Sequence, residues 1–275
     1  MQTTFKNIIL VPTDFSEVCN NAINQAIMAA KNLNSRLCLL HIINNETREF
    51  LDKKYLPDEY LSDKLKAQAS EIMHNQGIKV DYMVKEGSIF KMIGEVAAEI
   101  GARMIFLGTH GKSGMQHITG SFALKVTTSS PVPVIITQER KITNSFRQIV
   151  FAITSATSIN EKARWAAYMA KEFKAKINIF QISTTDPDII HATQNVQVFF
   201  EESKVDYGYL ISLKESGFAD QVIEYATSVN ADLIMIMTNP GNNFTKFLLS
   251  SVDEAIIFNK SQIPVMCINP VKPGE

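Results

Sequence analysis

The chain has 275 residues, of which 45% are hydrophobic and 20% charged, with a formal net charge of −1. This composition is typical of a globular protein, the length suits two domains, and the charge gives no general attraction to nucleic acid or anionic membranes. No apolar run approaches the ~20 residues of a membrane span, and the first residues lack the apolar region of a signal peptide. We therefore expect a cytoplasmic protein without nucleic-acid or membrane partners.

The first half of the sequence alternates short apolar runs with amphipathic stretches. In chain order it predicts strands at 7–11, 37–43, 80–84, 103–107 and 132–137, and helices at 17–33, 58–76, 88–100 and 121–128. Such alternation predicts an α/β fold, a doubly wound five-stranded parallel sheet with right-handed crossovers. The segment 44–57 shows no clear apolar period, and we expect it to cover a cleft or to form a subunit contact.

The second half repeats the first. "MAKEFKAKINIFQI" at 169–182 echoes "AAKNLNSRLCLLHI" at 29–42, "ADLIMIMT" at 231–238 echoes "ARMIFLGT" at 102–109, and "IPVMCI" at 263–268 echoes "VPVIIT" at 132–137. The sequence therefore predicts two copies of one domain, at 1–138 and 146–275. The polar stretch "QERKITNS" at 138–145 is the predicted linker.

A glycine-rich stretch, "LGTHGKSGMQHITGSF" at 107–122, follows the fourth strand. Glycines concentrated in this way indicate that backbone approaches either other backbone or a ligand. Doubly wound sheets bind ligands at the carboxyl ends of their strands, where the strand order reverses. Bare N–H groups and a helix beginning near Gly120 would suit a phosphate there. The other strand end at this point is Pro12-Thr13-Asp14.

Four motifs together resemble the universal stress protein family. They are "ILVPTDFS" at 9–16, "LLHI" at 39–42, the glycine-rich stretch, and "SSPVPVII" at 129–136. The resemblance covers nearly all of the chain as a tandem pair, and implies the adenine nucleotide alpha hydrolase-like fold. ATP-binding members carry Gly-x-x-Gly, a nine-residue spacer, and Gly-Ser or Gly-Thr. Gly108, Gly111 and Gly120-Ser121 match this pattern, but only eight residues separate Gly111 from Gly120.

The resemblance implies a site for ATP or another adenine nucleotide, and leaves open whether Mg²⁺ accompanies it. The matching positions are Pro12, Thr13, Asp14, Ile42, Leu107, Gly108, Gly111, Gly120, Ser121 and Phe122. In this reading Asp14 lies against the ribose and Ile42 packs on the base. The alternatives are structural: Asp14 or Ser16 caps the helix from Glu17, and Ser121 caps its own helix. We expect His41 to be satisfied by local hydrogen bonds.

The second half lacks these residues. Ile153-Thr154-Ser155 stand opposite Pro12-Thr13-Asp14 in the aligned sequences, and Met237 and Pro240 stand opposite Gly108 and Gly111. Ser250-Ser251 align with Gly120-Ser121. We therefore predict a degenerate second domain. The resemblance further implies that the two domains pair through their last strands, and a homodimer is compatible with it.

Two functions follow from this reading. The first is an ATP-binding stress-response regulator whose N-terminal domain holds the nucleotide with little or no hydrolysis. The second is a nucleotide-free interaction or scaffold protein of the same fold. We expect no catalytic residue and no metal site, because no positioned base, arginine finger, HExxH or Cys/His cluster occurs. An adenylate-transferring enzyme, a third possibility, would need a catalytic motif that is not found.

Overall fold

The computed structural model describes residues 6–57, 59–109, 120–142, 145–238 and 249–270. The chain divides into two compact units, Met1–Glu139 and Arg140–Glu275. Within the described ranges, no helix has the length and apolar character needed to cross a membrane.

The first unit is a five-stranded parallel sheet in the order β3-β2-β1-β4-β5. Its elements are β1 (Ile8–Pro12), α1 (Glu17–Asn32), β2 (Arg36–Ile43), α2 (Asn45–Lys54), α3 (Tyr60–Gln76), β3 (Val80–Glu86), α4 (Ile89–Ile100), β4 (Met104–Gly108), α5 (Gly120–Ser129) and β5 (Val134–Thr137). The strand order reverses between β1 and β4, as in a doubly wound sheet. The predicted fold class is confirmed.

One helix of the first unit was not predicted. α2 occupies most of the segment 44–57, begins after Asn44, whose side chain accepts a hydrogen bond from the Thr47 N–H, and ends at Tyr55 in the left-handed conformation. Leu51 is its buried residue and packs with Ile43 and Leu61. A helix that buries so little of its surface has no apolar stripe, so the sequence pattern did not reveal it.

Gly108 lies where α1 crosses the end of β4. A Cβ at this position would lie 2.7 Å from the Val18 carbonyl oxygen and 3.0 Å from the Cys19 nitrogen. Real Cβ atoms do not approach backbone this closely, so any larger residue would push α1 away from the sheet. For Gly108, the absence of a side chain is explained by backbone approaching backbone.

The second unit repeats the arrangement, with its parallel strands in the order β8-β7-β6-β9-β10. Its elements are β6 (Gln148–Ile153), α6 (Ile159–Phe173), β7 (Lys176–Gln181), α7 (Pro187–Glu202), β8 (Tyr207–Ile211), α8 (Phe218–Ser228), β9 (Leu233–Met237), α9 (Ser251–Ile257) and β10 (Val265–Ile268). The expected pairing of the two final strands stays a prediction.

A buried amine lies inside the second unit. Lys162 on α6 is 2% exposed, and its Nζ donates to the Ala152 carbonyl at the end of β6 and lies 4.3 Å from the Phe151 ring centroid. Burial lowers the pKa of Lys162 to about 7, and attraction to the buried carboxylate of Asp253 opposes that shift. Ile8 pairs with the first residue of β2, and Gln148 pairs with the first residue of β7, so these two residues are equivalent. Counted along the chain from them, the residue of the first unit that corresponds to Lys162 is Ala22.

We predict that Gly108→Ala lowers the free energy of unfolding by about 1–3 kcal/mol, because the added methyl group meets the backbone of α1. Gly94→Ala is the matched control: its Cβ would lie 3.6 Å from the nearest atom, the Ser129 carbonyl oxygen, within helix α4. The control should gain about 0.5–1 kcal/mol from helix propensity. Urea denaturation measures both, and equal stability of the two variants would contradict the packing argument.

We predict that Lys162 makes stability rise with pH above neutrality. Between its folded pKa of about 7 and its ordinary value of 10.5, the unfolded chain binds one more proton than the folded chain. The free energy of unfolding should therefore increase by about 1 kcal/mol per pH unit in this window, relative to Lys162→Met.

Urea denaturation from pH 7 to 9.5 provides the measurement. The exposed Lys260→Met variant should keep the slope of the wild type. Parallel curves for wild type and Lys162→Met would show that Lys162 stays charged in the folded protein.

Candidate functional site

A cavity of 210 Å³ opens at the carboxyl ends of β1 and β2 in the first unit. Its floor is the end of these strands, and its walls come from α2, α3 and the start of α4. The lining residues are Pro12, Thr13, Asp14, Phe15, Leu40, His41, Ile42, Asn44, Glu46, Thr47, Phe50, Tyr60, Leu61, Lys64, Ile89 and Ile93. The lining surface is mainly apolar and includes several polar side chains, as is usual for small-molecule sites.

Four predicted site residues meet in this cavity: Pro12, Thr13, Asp14 and Ile42. They come from two neighbouring strands, which explains why residues about thirty positions apart lie together.

The remaining predicted residues are placed elsewhere or lie outside the description. Leu107 and Gly108 form the buried end of β4 and are not among the lining residues. Phe122, on α5, stacks on Phe90 with ring centroids 6.1 Å apart. Gly120 is the first residue of α5, so the predicted helix start is confirmed. Gly111 and the side chain of Ser121 lie outside the described residues.

The turn after β1 is held by three side-chain hydrogen bonds. Thr13 Oγ1 accepts from the Phe15 N–H at 3.0 Å, and Asp14 Oδ1 accepts from the Ser16 N–H at 2.9 Å. Ser16 Oγ accepts from the Cys19 N–H and is the N-cap of α1. Of the two capping alternatives, Ser16 is correct. Asp14 shapes the turn and places a half-buried carboxylate in the cavity wall.

Cys19 lies directly behind this turn. Burial, with a further contribution from the nearby Asp14 carboxylate, raises the pKa of the thiol to about 12. It therefore remains a protonated thiol at physiological pH and has no nucleophilic character.

His41 and Phe15 form a stacked pair at the cavity, with ring centroids 5.0 Å apart. His41 Nδ1 lies 2.8 Å from the Thr13 carbonyl oxygen and must donate to it, because a carbonyl only accepts. Burial lowers the pKa of His41, so the ring is neutral and Nε2 is an acceptor. Among the described residues Nε2 has no partner. The expectation of local satisfaction therefore holds for Nδ1 and fails for Nε2.

Phe15 has a backbone φ of 67°, a left-handed conformation that is strained for an aromatic residue. The Lys64 amine lies over the Phe15 ring, with its Nζ 4.2 Å from the ring centroid. The hydrogen bonds of Thr13 and Asp14 hold the backbone on either side, so the strain is imposed by the turn.

Sequence reasoning did not identify Phe15, Lys64, Phe50 and Tyr60 as lining residues. Phe15 follows the recognised Pro12-Thr13-Asp14 motif and could have been included by adjacency. Phe50 lies on α2, and Tyr60 and Lys64 lie on α3, so they reach the cavity only through the packing of these helices. No local pattern distinguishes them from ordinary amphipathic surface.

The second unit differs at the equivalent position. Strand register places Ala152-Ile153-Thr154 opposite Pro12-Thr13-Asp14, so the sequence alignment was displaced by one residue. None of the three carries a carboxylate, and the Ala152 carbonyl accepts from the buried Lys162 amine. Ser250 is the N-cap of α9 and accepts from the Asp253 N–H at 3.0 Å.

Within the described ranges, no group of three His, Cys, Asp or Glu side chains is arranged to hold a metal ion.

Comparison with known proteins gives three results. Residues 6–138 match the model of the universal stress protein family. A Staphylococcus epidermidis protein with a provisional universal stress protein name is 26% identical over 151 residues, 52% of this chain and 90% of the relative. A similar Staphylococcus aureus protein is 26% identical over 166 residues, 58% of this chain and 97% of the relative.

Two solved structures share the fold over nearly the whole chain. A universal stress protein from Archaeoglobus fulgidus has a TM-score of 0.75 at 19% identity, over 98% of this chain and 99% of that one. A functionally unknown protein from Pseudomonas aeruginosa has a TM-score of 0.65 at 15% identity, over 98% and 94%. These structures confirm the fold, and the family model covers the part of the chain that contains the cavity. Residues 6–138 therefore form a universal stress protein family domain.

Proposed function

We propose that the first unit binds an adenine nucleotide, with the nucleoside in the cavity at the ends of β1 and β2. The observation that carries the proposal is the meeting of Pro12, Thr13, Asp14 and Ile42 in one mainly apolar cavity. Apolar walls suit a planar base, and a carboxylate at the edge suits ribose hydroxyl groups, which donate hydrogen bonds.

The phosphates would lie toward the amino end of α5. The helix begins at Gly120, where unpaired N–H groups and the helix dipole favour an anion. β4, which precedes the glycine-rich stretch, is the neighbour of β1 in the sheet. The carboxyl ends of β1 and β4 are thus adjacent on one edge of the sheet, the position where doubly wound sheets bind ligands.

The same residues offer little for catalysis. His41 Nδ1 is engaged by the Thr13 carbonyl, and the Cys19 thiol is held protonated by burial. The domain would bind nucleotide as a regulatory module in a stress response, with little or no hydrolysis.

A nucleotide-free interaction protein of the same fold is the second candidate. The observation that favours it is Gly108, whose missing side chain is explained by packing against α1 without any ligand. The eight-residue spacer, one residue shorter than the family pattern, points in the same direction. Titration of the wild-type protein with ATP decides between the two candidates, since the second predicts no heat of binding.

We predict that Asp14→Ala weakens ATP binding at least about tenfold, because a charged acceptor for the ribose is lost. Ser16→Ala is the control on the same turn. It removes the N-cap of α1, so it should cost about 1 kcal/mol of stability and leave the affinity for ATP unchanged. Isothermal titration calorimetry and thermal melting measure both. Unchanged ATP affinity in Asp14→Ala would assign that residue to the turn alone.

We predict that Gly120→Val weakens the binding of ATP at least about tenfold, and leaves the binding of adenosine nearly unchanged. The branched side chain would stand at the first residue of α5, where the phosphates are proposed to lie, while the nucleoside cavity stays intact. Calorimetry with the two ligands gives the comparison. An equal affinity for ATP in both proteins would place the phosphates elsewhere.

A further inference from the structure

A second cavity, of 710 Å³, lies in the second unit at the amino ends of β6 and β7. Five basic side chains line it: Arg147, Lys171, Lys174, Lys176 and Lys204. Asp206 is the one acidic side chain in the lining. The basic residues come from the start of two strands and the ends of α6 and α7, so the fold gathers them from four separate parts of the chain.

Within the described part of the chain, none of the five cations belongs to an ion pair. The Asp232 carboxylate lies nearby, but it accepts from the backbone N–H groups of Arg147 and Gln148. The Arg147 Nε donates to the Ser145 hydroxyl. The cavity is therefore lined by five cationic side chains and one carboxylate, that of Asp206.

The first unit carries fewer of these charges, although Lys31 stands at the position of Lys171. Its positions equivalent to Lys174, Lys204 and Arg147 are Asn34, Gly77 and Asn7. Arg36, the equivalent of Lys176, is paired with Asp81 at 3.1 Å.

The acidic partner of that pair is missing from the second unit. Register places Gly208 where β3 has Asp81, and a Cβ on Gly208 would lie 3.8 Å from the Lys176 side chain. Three uncharged positions of the first unit are therefore basic in the second, and the acidic partner is absent there. Only Asp206, in the place of Lys79, changes in the opposite sense.

Two of the lysines occupy costly backbone positions. Lys174 and Lys204 have φ values of 51° and 55°, the left-handed conformation in which helices normally end on glycine or asparagine. The first unit has Asn34 and Gly77 at these points, with φ values of 47° and 68°. Lysine there costs roughly 1 kcal/mol relative to glycine. A cation at the carboxyl end of a helix interacts favourably with the helix dipole, and this offsets part of the cost. One cation at each helix end is enough for that interaction.

We propose that this basic cavity binds a small, highly charged phosphate anion of the linear polyphosphate type. Four of its five cations are lysines, which act as mobile point charges toward phosphate, and the fork of the one arginine also fits phosphate oxygens. The charges are spread around a concave surface, which matches several phosphate groups in one ligand.

A nucleic acid strand fits this cavity less well. The aromatic residue in the lining is Tyr168, which is half-buried and contacts Trp165 with ring centroids 5.8 Å apart. A single-strand site would need an exposed ring on which bases stack.

The test is calorimetry with tripolyphosphate at low ionic strength. The variant Lys174→Asn/Lys204→Gly restores the residues of the first unit, so we expect binding at least about tenfold weaker. The same variant should melt at a higher temperature, because asparagine and glycine adopt the left-handed conformation more easily. Loss of binding in a stabilised protein cannot be attributed to misfolding.

Three comparisons complete the experiment. Lys214→Asn/Lys260→Asn removes the same charge from exposed positions outside the cavity and should bind as the wild type does. Lys171→Gln/Lys176→Gln should weaken binding without a change of backbone strain. Asp14→Ala, in the first-unit cavity, should leave tripolyphosphate binding unchanged.

Four outcomes would overturn the proposal. Three are the absence of tripolyphosphate binding by the wild-type protein, equal binding by Lys174→Asn/Lys204→Gly, and an equal loss in the Lys214/Lys260 control. The last result would show a general effect of net charge. Tighter binding of a single-stranded oligonucleotide than of tripolyphosphate, lost in the same variant, would assign the cavity to nucleic acid instead.

Discussion

The close approach of helix α1 to strand β4 is the constraint on which the first unit depends. The Val18 carbonyl lies where any side chain at position 108 would stand, so Gly108 allows the first turn of α1 to rest directly on the sheet. That contact fixes the point at which the chain must turn after β1. The hydrogen bonds of Thr13, Asp14 and Ser16 then make the turn, and the turn aims Asp14 and Phe15 at the cavity. A packing requirement and a candidate binding site therefore share one piece of backbone.

The strands and most helices could be predicted because each buries a regular set of apolar side chains. β1, β2 and β4 are almost wholly buried, and their sequences are continuous apolar runs. α2 escaped prediction because its stability comes from the Asn44 cap and the single buried residue Leu51. Neither a cap nor one apolar contact produces a period that a sequence pattern can reveal.

The candidate site was predictable only as far as it is local. Pro12, Thr13 and Asp14 form one motif at a strand end, and Ile42 ends the neighbouring strand, so topology alone brings them together. Lys64 and Tyr60 reach the cavity through the packing of α3, which depends on contacts distant in sequence. Gly108 was assigned to a ligand by motif, and the physical reason for it became clear only from the position of α1. The sequence comparison aligned the second half one residue away from the position that the strands show. Strand register is set by hydrogen bonds between strands, which are also contacts distant in sequence.

The two units show how a duplicated fold keeps its core while its polar groups change. Both retain five parallel strands, whereas the charge at each end of the sheet differs between them. At the carboxyl ends, the first unit has Asp14 and the second a buried amine, Lys162. At the amino ends, the second unit has basic residues, Arg147, Lys174 and Lys204, where the first has uncharged ones. The three cysteines are free and buried, and burial raises the pKa of each thiol. Oxidants and alkylating reagents attack the thiolate, so they can reach these sulfur atoms only when the surrounding structure opens. The rates at which Cys19 and Cys267 are labelled would thus report separately on the opening of each half, and their burial protects these thiols of the folded chain from peroxide.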